Sequence, residues 1–134
     1  MRTKFVVVIA AMVLFASAGR VVAHHSFSAE FDASKPFKMT GAVTKVEWMN
    51  PHTFFYIDVT DEKTKKVTNW AMEMGSPNGL MRQGWTRNTM KIGDVVAVEG
   101  SMAKDGSPTG NARSVTLMST GQRLFAASSQ GTTP

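Results

Sequence analysis

Hydrophobic and polar residues alternate along several short stretches of this chain, and a period of two predicts β-strands. β-Branched and aromatic residues are common in these stretches, which favours strands further. Turn signals separate them, among them Asn50-Pro51 and the polar run from Asp61 to Lys66. We expect strands at residues 37–49, 53–60, 67–74, 94–103 and 111–118, with a short sixth strand at 122–126.

The segment between the third and fourth strands has a different pattern. Ser76 precedes Pro77, which is typical of a helix N-cap followed by proline at the first helical position. Leu80, Met81 and Trp85 then form an apolar stripe. This order of elements predicts a mostly β fold, a small OB-like Greek-key barrel of five to six strands with one short helix after the third strand. A half-open six-stranded barrel is the competing architecture.

The N-terminal segment has the organisation of a cleavable signal peptide. Two basic residues precede an apolar run of 11 residues, Phe5 to Phe15, and Val21-Val22-Ala23 fits the small-x-small rule for signal peptidase. The run is shorter than the roughly 20 residues that span a bilayer, and no second long apolar run follows. We therefore expect cleavage after Ala23 and a soluble periplasmic product that does not span the membrane. Ala16-Ser17-Ala18 offers an alternative cleavage site, although it leaves almost no polar spacer after the apolar run.

The expected organisation has four parts. A signal peptide occupies residues 1–23, and an N-terminal arm follows at 24–36, either extended or with one helical turn. The OB-like domain covers residues 37–127. A Ser/Gly/Thr-rich tail at 128–134 is predicted to be disordered.

Charge and cysteine content narrow the possible functions. Three of the 15 basic residues lie before Ala23, so the mature chain has 12 basic and 10 acidic residues and a net charge of +2 rather than +5. The remaining basic residues are spread along the chain, whereas nucleic-acid binders usually cluster them on one face. We therefore expect no nucleic-acid partner. The chain has no cysteine, so neither a disulfide nor a lipid-attachment site follows the signal.

Five motifs resemble an uncharacterised family of small exported bacterial proteins, classed as a domain of unknown function of type 6152. They are A-H-H-S-F-x-x-x-F-D (Ala23 to Asp32), G-x-V-x-x-V-E-W-x-N-P-H (Gly41 to His52), G-S-P-N-x-L-x-R-x-G-W (Gly75 to Trp85), G-D-x-V-x-V-E-G (Gly93 to Gly100) and N-A-R-S-V-T-L (Asn111 to Leu117). The resemblance covers nearly the whole mature chain and implies a periplasmic, OB-like domain. It implies no activity, because the family has none established.

The three histidines are the strongest candidates for chemistry. Cleavage after Ala23 places a free α-amine beside the imidazoles of His24 and His25, and His52 follows the Asn50-Pro51 turn signal. An amine and two imidazoles suit Cu(II), in the arrangement called a histidine brace. We therefore predict copper as the cofactor, with His24 and His52 as ligands and His25 as a further ligand or a bystander. The other interpretation is that His24-His25 is a flexible polar end and that His52 caps its turn or hydrogen-bonds a backbone group.

Other candidates have simpler interpretations. Met72 and Met74 lie two apart on one strand, a spacing that suits Cu(I) ligands but is more typical of core packing. The tryptophans and the Phe54-Phe55-Tyr56 run fit either a core or a ligand surface. No catalytic triad motif, phosphate loop or H-E-x-x-H motif is present, so we expect no enzyme, and a copper-dependent oxidase is the weakest hypothesis. The main alternative to copper binding is a metal-free module whose barrel face binds a small ligand or an envelope protein.

Overall fold

A computed structural model describes residues 27–127 of the protein. The predicted signal peptide at 1–23, His24 and His25, and the predicted tail at 128–134 lie outside these residues. No helix within the described part of the chain combines the length and the apolar character that crossing a membrane requires.

The described residues form a mostly β structure of six strands and two short helices, so the predicted mostly β class is confirmed. The elements are α1 (Phe27–Glu30), β1 (Phe31–Glu47), β2 (Phe54–Thr60), β3 (Val67–Glu73), α2 (Pro77–Arg82), β4 (Val95–Ala103), β5 (Thr109–Leu117) and β6 (Arg123–Phe125). Each predicted strand corresponds to an observed one, and the predicted helix lies after the third strand.

The six strands pair in the order β3-β2-β1-β4-β5-β6. These neighbours are antiparallel. An additional parallel pairing joins β3 to β5 over Ala71 to Glu73 and Thr109 to Asn111. Because this pairing connects β3, at one end of the series, to β5, the last strand but one at the other end, β1, β2, β3, β5 and β4 form a ring of hydrogen-bonded neighbours.

Alternation along the strands places one face of the ring in the core. Phe55 and Ile57 of β2 are buried, as are Val96 and Val98 of β4, while the residues between them are more exposed. This is the period of two expected when one side of a strand faces a core. The core also contains Met72, Met74, Leu80 and Trp85.

Strand β1 begins six residues earlier than the predicted start at residue 37. Within the predicted arm, α1 forms a helical turn and β1 then begins at Phe31, which pairs with Ala103 of β4. Burial of the Phe31 side chain, which is 3% exposed, favours this pairing. The register shifts between Asp32 and Pro36, and proline lacks the N–H needed for a regular ladder.

Helix α2 begins as the sequence predicts. The Ser76 hydroxyl accepts a hydrogen bond from the Gly79 N–H at 3.2 Å, and Pro77 occupies the first turn. Leu80 is buried from this helix, whereas Met81 of the predicted apolar stripe is exposed. The cap therefore fixes the residue at which α2 begins after β3, and with it the position of Leu80 in the core.

Candidate metal-binding site around His52

His52 lies in the loop between β1 and β2, where neighbouring backbone hydrogen bonds fix its position. The Thr53 N–H donates to the Gly75 carbonyl at 3.0 Å, and the Met74 N–H donates to the Thr53 carbonyl at 2.8 Å. These bonds extend the β2–β3 pairing by one residue beyond Phe54 and Glu73. His52 is therefore held beside the end of β3.

The ring of His52 is oriented through its Nδ1 atom. This atom lies 3.0 Å from Oε1 of Glu73 and 3.1 Å from the Met74 carbonyl oxygen. Because both partners are acceptors, we assign the ring hydrogen of neutral His52 to Nδ1. Its Nε2 is then the acceptor atom, and the side chain is 31% exposed, so the ring is not sealed in the core. This is the second-sphere arrangement usual for a metal-binding histidine.

Glu73 belongs to a row of residues on the face of the ring opposite the core. Directly paired residues on neighbouring strands share a face, and the register therefore defines the row, which we call the outer row. Its members, each paired with the next, are Glu47, Phe54, Glu73, Asn111, Ser101 and Pro36.

A cavity of about 430 Å³ opens beside Glu73 and Phe54 on the outer row. Ala29 and Glu30 of α1 line its opposite wall, together with Phe31, and the hairpin between β4 and β5 closes another side. The C-terminal half of α1 therefore borders the cavity that Glu73 lines. We call this space the Glu73 cavity.

Charges at the Glu47 end of the outer row are paired with one another. The Lys45 ammonium contacts the Glu47 carboxylate, and the Tyr56 hydroxyl donates to it at 3.0 Å. The hydrogen bond from Lys45, followed by that from Tyr56, lowers the pKa of Glu47. Burial, and then the Glu47 hydrogen bond, raises the pKa of Tyr56. Glu47 thus stays ionised at neutral pH and is held by Lys45 and Tyr56.

Of the three predicted ligands, only His52 lies among the described residues. The structure places His52 in a loop between two strands, as expected, whereas His24 and His25 lie outside residues 27–127. Within that range, no three His, Cys, Asp or Glu side chains form a cluster able to hold a metal ion. Among the described residues, His52 has one such side chain as its neighbour, Glu73.

The contact between His52 and Glu73 is the feature that the sequence analysis missed. Glu73 falls within the third expected strand, at residues 67–74, and has no role assigned to it there. The signal was nevertheless present, because Asp61 pairs with Lys66 at the predicted hairpin turn. If the residues of β2 and β3 are paired in order away from that turn, Phe54 pairs with Glu73, as it does in the structure. His52, two residues before Phe54, then lies near Glu73.

The remaining candidates divide between core and surface. Met72 and Met74 are buried in the hydrophobic core, which confirms the packing interpretation. Trp85 is also buried, and its indole N–H donates to the Phe125 carbonyl at 2.8 Å. Phe54 on the outer row is only partly buried. Most of the large side chains therefore serve the core, while Phe54 borders the Glu73 cavity.

A family model described as a family of unknown function (DUF6152) matches residues 11–113. No curated protein and no solved structure matches the chain. The match spans most of the sequence and includes β1 to β4 as well as His52 and Glu73. The chain therefore belongs to this family of unknown function, DUF6152.

Proposed function

We propose that this protein is an exported binding module of the bacterial envelope and that it binds Cu(II) through His24 and His52. The mature N-terminus supplies the α-amine and the ring of His24, and His52 supplies the second imidazole. His25 is a candidate further ligand. The observation that supports this proposal is the contact of His52 Nδ1 with the Glu73 carboxylate and the Met74 carbonyl.

That contact prepares His52 for a metal by fixing its tautomer. The ring hydrogen lies on Nδ1, so that Nε2 carries the lone pair. Imidazole and amine nitrogens favour Cu(II) over the other first-row divalent ions. The contact with the Met74 carbonyl is one that a purely structural histidine also makes, so the Glu73 carboxylate is the partner that supports the copper proposal.

The position of α1 is compatible with ligation by the N-terminus. Ala29 and Glu30 line the same cavity as Glu73, and His24 precedes Phe27 by only three residues. Three extended residues reach about 10 Å. The amine and His52 are therefore candidates to meet at the edge of the Glu73 cavity.

We also propose an OB-like barrel as the scaffold. The ring of pairings β1-β2-β3-β5-β4 and the helix between β3 and β4 are the connections of that architecture. OB-like domains carry binding surfaces on the outside of their strands. A metal-free module that binds a small ligand or an envelope protein there is the second candidate, supported by the partly buried Phe54 on the outer row.

The test uses the protein exported by its native host. Its intact mass identifies the N-terminal residue, and the same sample is titrated with Cu(II) by calorimetry and electron paramagnetic resonance. We expect a chain that begins at His24 and binds one copper ion through nitrogen ligands. One extra residue before His24 should abolish tight binding, because it moves the α-amine.

Three variants locate the second ligand. His52→Ala should lose tight binding, and Glu73→Gln should weaken it by about 10–100-fold, the usual effect of removing a second-sphere carboxylate. Lys63→Ala, in the exposed hairpin turn between β2 and β3, is the matched control and should bind as the unmodified chain does. Unchanged affinity in the folded His52→Ala protein, or a native chain that begins at Gly19, would overturn the copper proposal.

A further inference from the structure

A second cavity adjoins the Glu73 cavity, and Phe31 and Lys104 line both of them. It has a volume of about 360 Å³, near the lower end of the range for small-molecule sites. It is formed where the pairing of β1 with β4 is interrupted between Asp32 and Pro36. Residues Asp32, Ala33 and Ser34 line it on one side, and Asn111 and Arg113 of β5 line it on the other. We call it the Asn111 cavity.

Asn111 carries the strongest sign that this cavity takes a ligand. Its side chain is 3% exposed, and its carboxamide has no hydrogen-bond partner among residues 27–127. Thr53 Oγ1 is the one side-chain N or O atom of the described residues that is both wholly enclosed by protein and unpartnered, so the Asn111 carboxamide is not wholly enclosed. The carboxamide therefore opens into the cavity that it lines. Buried polar groups are nearly always hydrogen-bonded, so such a group calls for a partner.

The backbone holds Asn111 firmly in this position. It pairs with Ser101 on one side and with Glu73 on the other. Gly100 allows the close approach of the two strands, because a Cβ atom there would lie 1.9 Å from the Asn111 carbonyl oxygen. The carboxamide is thus displayed from a rigid part of the ring, which suits a binding group.

The charges around the cavity favour an anion. Arg113 is exposed and forms no ion pair with any carboxylate of residues 27–127. The Lys104 ammonium donates to the Ser28 carbonyl, and its charge also acts on the Asp32 carboxylate. Among the described residues that line the cavity, Asp32 is the one with a carboxylate, and it accepts hydrogen bonds from the Ser34 N–H and hydroxyl. Two cations therefore face one carboxylate that already has local partners.

Two aromatic rings supply an apolar wall. Phe27 and Phe31 both line the cavity, and their ring centroids are 5.7 Å apart. An apolar group placed against these rings would be removed from water, which contributes roughly 25 cal/mol per Å² of apolar surface. The cavity thus combines a positive end with an apolar wall.

We propose that the Asn111 cavity binds a small organic carboxylate with an apolar body. The guanidinium of Arg113 matches a carboxylate through two parallel hydrogen bonds, and Lys104 adds a second positive charge. The carboxamide of Asn111 donates to the ligand, and the rings of Phe27 and Phe31 contact its apolar part. A single negative charge fits better than a phosphate dianion, because Asp32 stands in the same wall.

Benzoate is the probe, with acetate and neutral benzamide as comparison ligands, and binding to the mature full-length chain is followed by calorimetry and NMR. Benzoate should bind saturably with a Kd on the order of 1 mM or tighter. It should shift the side-chain amide signals of Asn111. Acetate should bind more weakly because it lacks the apolar body, and benzamide should not bind because it lacks the charge.

Variants identify the site. Arg113→Gln should weaken benzoate binding by about tenfold or more, as expected for a charge-assisted bidentate contact. Arg87→Gln is the matched control, since Arg87 is an exposed arginine in the loop after α2, and it should bind benzoate unchanged. Asn111→Asp should abolish binding, because it sets a second carboxylate against the ligand.

The copper site and the carboxylate site are separable by experiment. His52→Ala should leave benzoate affinity unchanged, because His52 is not part of the lining of the Asn111 cavity. Equal benzoate affinity in the folded Arg113→Gln and unmodified proteins would overturn the proposal. So would benzamide binding as tightly as benzoate, or an absence of saturable benzoate binding.

Discussion

Replacement of Thr53 by valine should stabilise the protein. The Thr53 side chain is fully buried, and its Oγ1 atom has no hydrogen-bond partner among residues 27–127. The backbone of Thr53 is satisfied by Gly75 and Met74, so the hydroxyl is the one polar group of this residue that lacks a partner. Valine has nearly the same shape and the same β-branched stiffness, but it has no polar group to desolvate.

The size of the effect follows from that unpartnered hydroxyl. Burial of a hydroxyl without a hydrogen bond costs about 1–3 kcal/mol in protein mutational data. Thr53→Val should therefore increase the free energy of unfolding by about 1–2 kcal/mol. In a domain of this size, that corresponds to a rise in Tm of roughly 4–8 °C per kcal/mol.

Urea unfolding and thermal unfolding of the mature chain measure this change. Thr53→Ser is the matched control, because it keeps the hydroxyl but removes a buried methyl group, and it should lose about 1 kcal/mol. The dependence of unfolding free energy on urea should stay the same in all three proteins, since the fold does not change. A valine variant less stable than the unmodified protein would refute the reasoning, because it would show that the hydroxyl has a partner in the native chain.

Two further predictions concern the strands. The Glu99 carboxylate accepts hydrogen bonds from Ser114 and Arg123, in that order of effect, and these lower its pKa from the ordinary 4.5. As the pH falls, Glu99 is therefore protonated in the unfolded chain at a higher pH than in the folded chain. Its contribution to the free energy of unfolding is present above about pH 4.5 and is lost as the pH falls further. Glu99→Gln should show a smaller loss of Tm than the unmodified protein between pH 6 and pH 3, and an equal loss would contradict this assignment. Gly110→Ala should lower the free energy of unfolding in urea by about 1–3 kcal/mol, because its Cβ would lie 2.5 Å from the Phe37 ring. Adding Phe37→Leu should recover part of this loss. If the effects of the two substitutions simply add, the clash is not the cause.

Much of the fold could be predicted from local patterns in the sequence. Alternation identifies β2 and β4, because each has one face in the core, and the Ser76-Pro77 pair identifies the start of α2. The start of β1 was harder to predict, because Phe31 joins the sheet only through its pairing with Ala103, which is distant in the chain. Pro36 also looks like the end of an arm, although the ladder resumes there after a shift of register.

The candidate sites show the same division between local and long-range information. The position of His52 in a loop follows from the Asn50-Pro51 turn signal, whereas its contact with Glu73 depends on the register of the β2–β3 hairpin. The open carboxamide of Asn111 depends on more distant pairings, with β3 on one side and β4 on the other. Residue type and spacing alone do not distinguish Asn111 from any other polar residue of a strand.

The short strand β6 has a consequence for association between copies of the protein. The edge of β5 that faces away from β4 is covered by β3 over Thr109 to Asn111 and by β6 over Ser114 to Thr116. The indole of Trp85 holds β6 in place through the Phe125 carbonyl. An uncovered strand edge is a template for pairing with another chain. Three residues, Arg123 to Phe125, thus occupy hydrogen-bonding groups that would otherwise be open to intermolecular strand addition and aggregation.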